Sequence, residues 1–331
     1  MTADLSETPA GPPPPFDPEL GEVLTVLGEQ LPSLTPEMIP GLRLLAVDAE
    51  RLTDEELGRG GAINVQEITV PGPAGAPGVR LLVCRPTGAG TSPAAIYHTH
   101  GGGMILGDNR AGLAELLDWV VELRLVVVSV EYRLAPEHPH PALVEDCYAG
   151  LLWTAGHAGE LGIDPGRVLV GGASAGGGLA AALALMARDR GGPALAGQLL
   201  MGPMLDDRND TVSATQMAGL GVWDRTANET GWGALLGDRR GGPGVSPYAA
   251  PARATDLSGL APAFIDVGSA ETFRDEAVAY ACRIWQAGGR AELHVWPGGF
   301  HGFDLMAPHA ALSQDARAAR LRWLRRLLLE G

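Results

Sequence analysis

The sequence predicts an α/β fold, a mostly parallel sheet with helices on both faces, and three observations carry that expectation. From about residue 94 onward, short β-branched runs alternate with longer runs at helical spacing. Two earlier strand-like runs are joined by Pro71-Gly-Pro-Ala-Gly-Ala-Pro-Gly, which reads as a hairpin loop, so the sheet opens antiparallel. Finally, Val168-Leu-Val-Gly-Gly-Ala-Ser-Ala-Gly-Gly-Gly-Leu-Ala-Ala-Ala reads as strand, sharp turn and helix, with glycines packed around Ser174.

Residues 1–16, with Gly11-Pro-Pro-Pro-Pro, read as a flexible Pro-rich lead-in. Over 17–60, Leu20, Val23, Leu24 and Leu27 repeat at helical spacing, as do Met38, Leu42, Leu45 and Ala46, and Pro36 stands at a helix start. These predict two or three short helices that form a cap. Strands are expected near 65–70, 79–84, 94–99, 125–130, 167–171, 198–202, 262–267 and 292–296. Helices are expected near 110–123, 141–157, 175–189, 273–287 and 314–329. From about 206 to 250 the alternation stops in polar, aromatic, Gly-rich sequence, so 206–245 is assigned to a second cap segment. The catalytic core is then 61–205 and 246–331.

With 331 residues, 46% of them hydrophobic, the chain can bury one large core or two modest ones. No run of about 18 apolar residues occurs, and Met1-Thr-Ala-Asp-Leu-Ser-Glu has no secretory signal character. Cys84, Cys147 and Cys282 are few and widely spaced, so neither a disulfide framework nor a zinc cluster is expected. Together these predict a cytoplasmic protein that does not cross a membrane. A net charge of -15 opposes nucleic acid and anionic membrane surfaces and favours small neutral or cationic molecules. All 24 basic residues are arginine. The absence of lysine excludes lysine-dependent phosphate loops, Schiff-base chemistry and serine hydrolases with a lysine base. A serine nucleophile here must use histidine.

Gly172-Ala173-Ser174-Ala175-Gly176 fits G-x-S-x-G, in which a strained turn lifts a serine hydroxyl above a sheet. A helix-capping serine beside a tight turn is the structural alternative. Of eight histidines, His301 lies in a Gly-flanked loop after the last strand, on the rim where Ser174 is expected. For the acid that orients it, Asp266, Glu271 and Asp275 lie after the serine and before the histidine. Asp266 falls inside a strand, and Asp275 stands three after Thr272, the spacing of a capping box. Glu271 remains in the loop and is the choice. His100-Gly-Gly-Gly follows a strand, so Gly101 and Gly102, with Ala175, are the expected oxyanion-hole amides. His98-Thr-His100 could suggest a metal, but no third ligand is evident; neither metal nor cofactor is expected, and His100 is expected to brace its own loop. Met104, Leu106, Met204, Leu205, Trp223 and Phe303 flank the site or belong to the cap and are candidates to line an acyl pocket.

With these residues in place, the chain resembles the bacterial hormone-sensitive-lipase-like esterases over about residues 65–330. The shared segments are His100-Gly-Gly-Gly, Glu131-Tyr-Arg-Leu-Ala-Pro-Glu-His-Pro-His-Pro-Ala, Gly172-Ala-Ser-Ala-Gly-Gly, Ser246-Pro-Tyr-Ala-Ala-Pro, Arg274-Asp-Glu and His301-Gly-Phe. The resemblance implies an α/β-hydrolase with an eight-stranded sheet, a two-part helical cap and hydrolysis of short-acyl carboxylic esters. It also implies that Tyr132 to Pro141 buttresses the oxyanion loop, and it leaves a homodimer open. Family members often carry Asp or Glu where Ala173 stands, and many have Asp-Pro-Leu where this chain has Glu271-Thr-Phe. Two other functions use the same frame: a silent binder that has lost its base, and an amide or lactone hydrolase. A complete Ser174, Glu271, His301 set disfavours the binder.

Overall fold

The computed structural model describes residues 10–28, 33–49, 52–88 and 94–329. Its β-branched runs form eight strands: β1 (Ile63–Val70), β2 (Val79–Pro86), β3 (Ala95–Thr99), β4 (Val126–Glu131), β5 (Val168–Ala173), β6 (Gly197–Met201), β7 (Ala263–Gly268) and β8 (Ala291–Trp296). They make one sheet in the order β1-β2-β4-β3-β5-β6-β7-β8. The pairs β1/β2 and β2/β4 are antiparallel and the rest parallel. The eight strands expected from the sequence are therefore all present, and the hairpin opens the sheet as read.

The helices are α1 (Pro18–Gly28), α2 (Ile39–Ala49), α3 (Asp54–Gly58), α4 (Ala114–Leu123), α5 (Ala142–Gly156), α6 (Ala158–Leu161), α7 (Ala175–Asp189), α8 (Val212–Gln216), α9 (Arg225–Leu236), α10 (Arg274–Gln286), α11 (Phe303–Met306) and α12 (Ala311–Leu329). The helix expected over 110–123 starts later, at Ala114, and the one over 141–157 breaks before α6. Residues 206–245 hold helices and turns but no strand.

Residue parity explains why both faces are covered. Leu81, Val83, Tyr97, Val128, Val170 and Ile265 pack with α5, α7 and α10, while Leu82, Ile96, Val127, Leu169 and Phe264 pack with α4 and α12. Strands apolar on both sides belong in a sheet sandwiched by helices. Helix α7 is buried from Ala175 to Ala187 beneath the middle of the sheet, as a run of Gly, Ala, Leu and Met with no polar side chain requires.

Over residues 10–16 the N-terminal lead-in has neither helix nor strand. Residues 1–9 lie outside the described residues, as do the side chains of Leu45 and Ala46. Over the rest, Gln216 Nε2 donates to the carbonyls of Gly11 and Pro12, and Asp17 N donates to Gly298 O at 3.0 Å. Among the described residues no helix is long and apolar enough to cross a membrane.

Candidate active site

Ser174 joins β5 to α7 at φ 59°, ψ −124°, a backbone region costly for a residue with a Cβ. Close packing of strand end on helix start fixes it there. A Cβ on Gly172 would stand 2.3 Å from the Thr99 carbonyl oxygen, and one on Gly176 would stand 2.0 Å from it. Ser174 N donates to Met201 O at 2.8 Å, and Ser174 O accepts from Met204 N at 3.0 Å. The serine caps nothing: its side chain makes no hydrogen bond to the first turn of α7.

Its Oγ lies instead 2.9 Å from His301 Nε2, and His301 Nδ1 lies 3.2 Å from Glu271 Oε1. With Nδ1–H donating to the carboxylate, Nε2 is left as acceptor for the serine O–H. The other oxygen of Glu271 accepts from Gly268 N at 3.1 Å, and the residue is only 3% exposed. Two loops must touch for this pair to meet: a Cβ on Gly268 would stand 2.0 Å from Gly299 O. Phe273 sets its ring edge-on to the imidazole, centroids 4.9 Å apart. Nothing in the sequence beyond its adjacency to Thr272 marks Phe273.

The rejected acids have other partners. Asp266 faces Arg320 and Trp296 across the sheet. Asp275 pairs with Arg274 and accepts from Ser213 N at 2.7 Å. The capping box expected from Thr272 and Asp275 does not form, because Thr272 Oγ1 donates to Trp223 O at 2.8 Å and α10 starts without a side-chain cap. Tertiary contact with the 206–245 insertion outcompetes the local cap.

Gly101 and Gly102 follow β3, and Ala175 N is the first amide of α7, which has no intrahelical acceptor. None of the three amides donates to an acceptor among the described residues. A Cβ on Gly101 would lie 3.6 Å from Ser174 Cβ, so the glycine turn passes directly beside the serine. His100 braces this turn: Nδ1 bonds the Gly101 carbonyl at 2.8 Å, and the ring stacks on Tyr132 with centroids 4.0 Å apart. Tyr132 Oη donates to His100 O at 2.8 Å. Burial lowers the pKa of His100 to about 4 and that of His98 to about 3, so both rings stay neutral. His98 bonds Ser129 Oγ.

The pocket candidates divide. Trp223 is half-buried against the glycine turn after β3, where a Cβ on Gly103 would strike its ring at 2.2 Å, and Met204 is tied by its amide to Ser174. Met104 and Leu106 belong to the turn itself; Met104 is buried at φ 66°. Met104, Met204 and Leu205 are all buried in the main core, and the Leu205 amide is held by Glu276 Oε1 at 2.6 Å. Phe303 packs with Leu20 and Phe300 in a separate cluster under α1.

The model of the alpha/beta hydrolase fold family matches residues 96–305. The chain is 39% identical over 250 residues to the carboxylic ester hydrolase LipN of Mycobacterium tuberculosis, covering 73% of this chain and 64% of that protein. Against that relative it therefore spans just under two thirds of the length. It is likewise 39% identical over 241 residues to the carboxylesterase NlhH of Mycobacterium tuberculosis, covering 70% and 73%. Among solved structures, a bacterial heroin esterase superposes with a TM-score of 0.84 at 39% identity, covering 95% of this chain and 98% of that one. Esterase LipW from Mycobacterium marinum gives a TM-score of 0.83 at 33% identity, covering 95% and 96%.

Proposed function

The chain belongs to the alpha/beta hydrolase fold family and is a carboxylic ester hydrolase, and from that premise we propose that it cleaves short-acyl esters through an acyl-enzyme on Ser174. The observation that carries the reading is the unbroken relay from Ser174 Oγ to His301 Nε2 and from His301 Nδ1 to Glu271, set beside three unused amides. A serine hydroxyl is a weak nucleophile until a base takes its proton. Here Oγ attacks the ester carbonyl while His301 accepts the proton, and Glu271 holds the resulting imidazolium. The carbonyl oxygen gains negative charge and is met by the amides of Gly101, Gly102 and Ala175. His301 then protonates the leaving alcohol. Water attacks the acyl-enzyme in the reverse roles, releasing the acid and restoring Ser174.

In this reading α1, α2 and the 206–245 insertion form the cap over the core, and Trp223, Met204 and Met104 border the acyl side. The substrate is a small-molecule ester, and low cysteine usage favours a cytoplasmic setting. The test is a p-nitrophenyl ester series with wild type and Ser174→Ala. Turnover of the butyrate falls on the order of 10⁴-fold or more in the variant, and wild type prefers butyrate to decanoate. An undiminished rate in Ser174→Ala overturns the scheme; equal rates along the series overturn the short-acyl part alone.

A further inference from the structure

We infer that Arg43, on the N-terminal helix α2, is a positioning residue for the oxyanion turn, so that the N-terminal segment shapes turnover as well as covering the site. This rests on the reading of Gly101 and Gly102 as oxyanion donors. All three guanidinium nitrogens of Arg43 are engaged. Nε donates to Ile105 O at 2.7 Å, Nη2 to Ala135 O at 2.6 Å and Nη1 to Glu137 Oε1 at 2.8 Å. Ile105 belongs to the turn that Gly102 opens: Ile105 N and Leu106 N both donate to Gly102 O, at 3.0 and 2.9 Å. At the middle of that turn Met104 is held at φ 66°, and its carbonyl accepts from Ala135 N at 3.0 Å. A non-glycine residue in the left-handed region persists only where its surroundings over-determine it.

Arg43 supplies part of that determination. Its planar fork links the carbonyls of two separate segments, one in the turn and one in the Leu134–Glu137 stretch, by charge-assisted bonds stronger than neutral ones. The segment that carries Arg43 is fixed at its other end to the insertion. Ser33 Oγ donates to Asp224 Oδ2 at 2.9 Å, Thr230 Oγ1 donates to Leu34 O at 2.8 Å, and Leu34 and Ile39 are buried in the main core. Seating of the N-terminal segment and the shape of the oxyanion turn are thus one arrangement. The value of an oxyanion donor depends on where it points, so a turn released at Ile105 loses rate even with Gly101 and Gly102 intact.

The test compares wild type, Arg43→Ala, Arg43→Lys and Arg225→Ala, the last an arginine on α9 in an exposed pair with Glu229. Two probes are used: turnover of p-nitrophenyl butyrate, and affinity for an aryl trifluoromethyl ketone, which forms an oxyanion on Ser174, against its plain methyl ketone. Arg43→Ala is expected to lose about tenfold in kcat with KM within about twofold, and to bind the trifluoromethyl ketone about tenfold more weakly, a fraction of the loss on deleting a donor outright. Its affinity for the methyl ketone stays unchanged. Added methylguanidine restores part of the rate, Arg43→Lys recovers only part of it because an ammonium lacks the fork, and Arg225→Ala matches wild type. A raised KM at wild-type kcat, or an equal weakening of both ketones, overturns the inference. If wild type itself binds the two ketones alike, the oxyanion reading fails, and that is visible before any Arg43 variant is measured.

Discussion

Two carboxylates on one stretch of chain, Asp266 within β7 and Glu271 just beyond its end, are put to opposite uses. Asp266 is buried on the α12 side of the sheet, where Arg320 holds it through Nε at 2.9 Å and Nη2 at 2.8 Å, and Trp296 Nε1 donates to the same oxygen at 3.1 Å. The same guanidinium reaches Glu115 on α4 at 3.0 Å and Asp304 on α11. Its partner is an arginine, charged at every ordinary pH, so Asp266 faces a charge that does not change. Glu271 faces His301, which can take up and give back a proton. In the proposed mechanism, what separates a structural acid from a working one is the partner's ability to change charge. Asp304 lies three residues after His301, so Arg320 ties β7 to α11, the elements next to Glu271 and His301 in the chain.

The comparison is broken most easily at Glu271. Glu271→Ala is expected to lower kcat on the order of 10³-fold, whereas Asp275→Ala stays within a few-fold, as steady-state rates on a p-nitrophenyl ester will report. The reverse order would move the relay to Asp275. At the other pole, Arg320→Met strands Asp266, Asp304 and Glu115 without their shared cation. It should cost about 3–5 kcal/mol of stability in chemical denaturation, the range for removing one partner of a buried ion pair. A variant as stable as wild type but as inactive as Glu271→Ala would erase the distinction.

What the sequence made legible follows the same divide. The strands were readable because β-branched runs buried on both faces leave little choice of structure, and Ser174 was readable because its glycines sit where strand and helix nearly touch. Glu271 could be chosen from its place in the loop. The capping role for Asp275 failed because the hydroxyl of Thr272 is taken by Trp223 O, from an insertion distant in sequence. The packing of Phe303 with Leu20 and Phe300 under α1 was likewise not legible, because Leu20 is distant in sequence. Arg43 and Arg320 were not legible at all. Each is one arginine among 24, and the partners that give it meaning lie up to 94 and 205 residues away.

The finest test of the contrast concerns Glu115. Burial, ahead of all else, raises its pKa from 4.5 to about 7; Asp304 adds to the rise, while Arg320 and Arg317 oppose it. The folded protein therefore keeps a proton that the unfolded chain releases between about pH 4.5 and 7. Over that window unfolding gives up the proton, so stability falls as pH rises and levels off above about 7. The swing is about 2 kcal/mol, allowing for the charges it shares. Glu115→Gln keeps an oxygen for Arg320 and has nothing to titrate. Urea midpoints at pH 5 and pH 8 should therefore show wild type losing stability relative to the variant, and parallel losses would mean that Glu115 is ionised throughout. Because Glu115 bonds none of Ser174, His301 and Glu271, its substitution leaves the pH profile of kcat where it was. A displaced profile would mean that the two acid systems on β7 sense each other through the sheet, and the division between them would not hold.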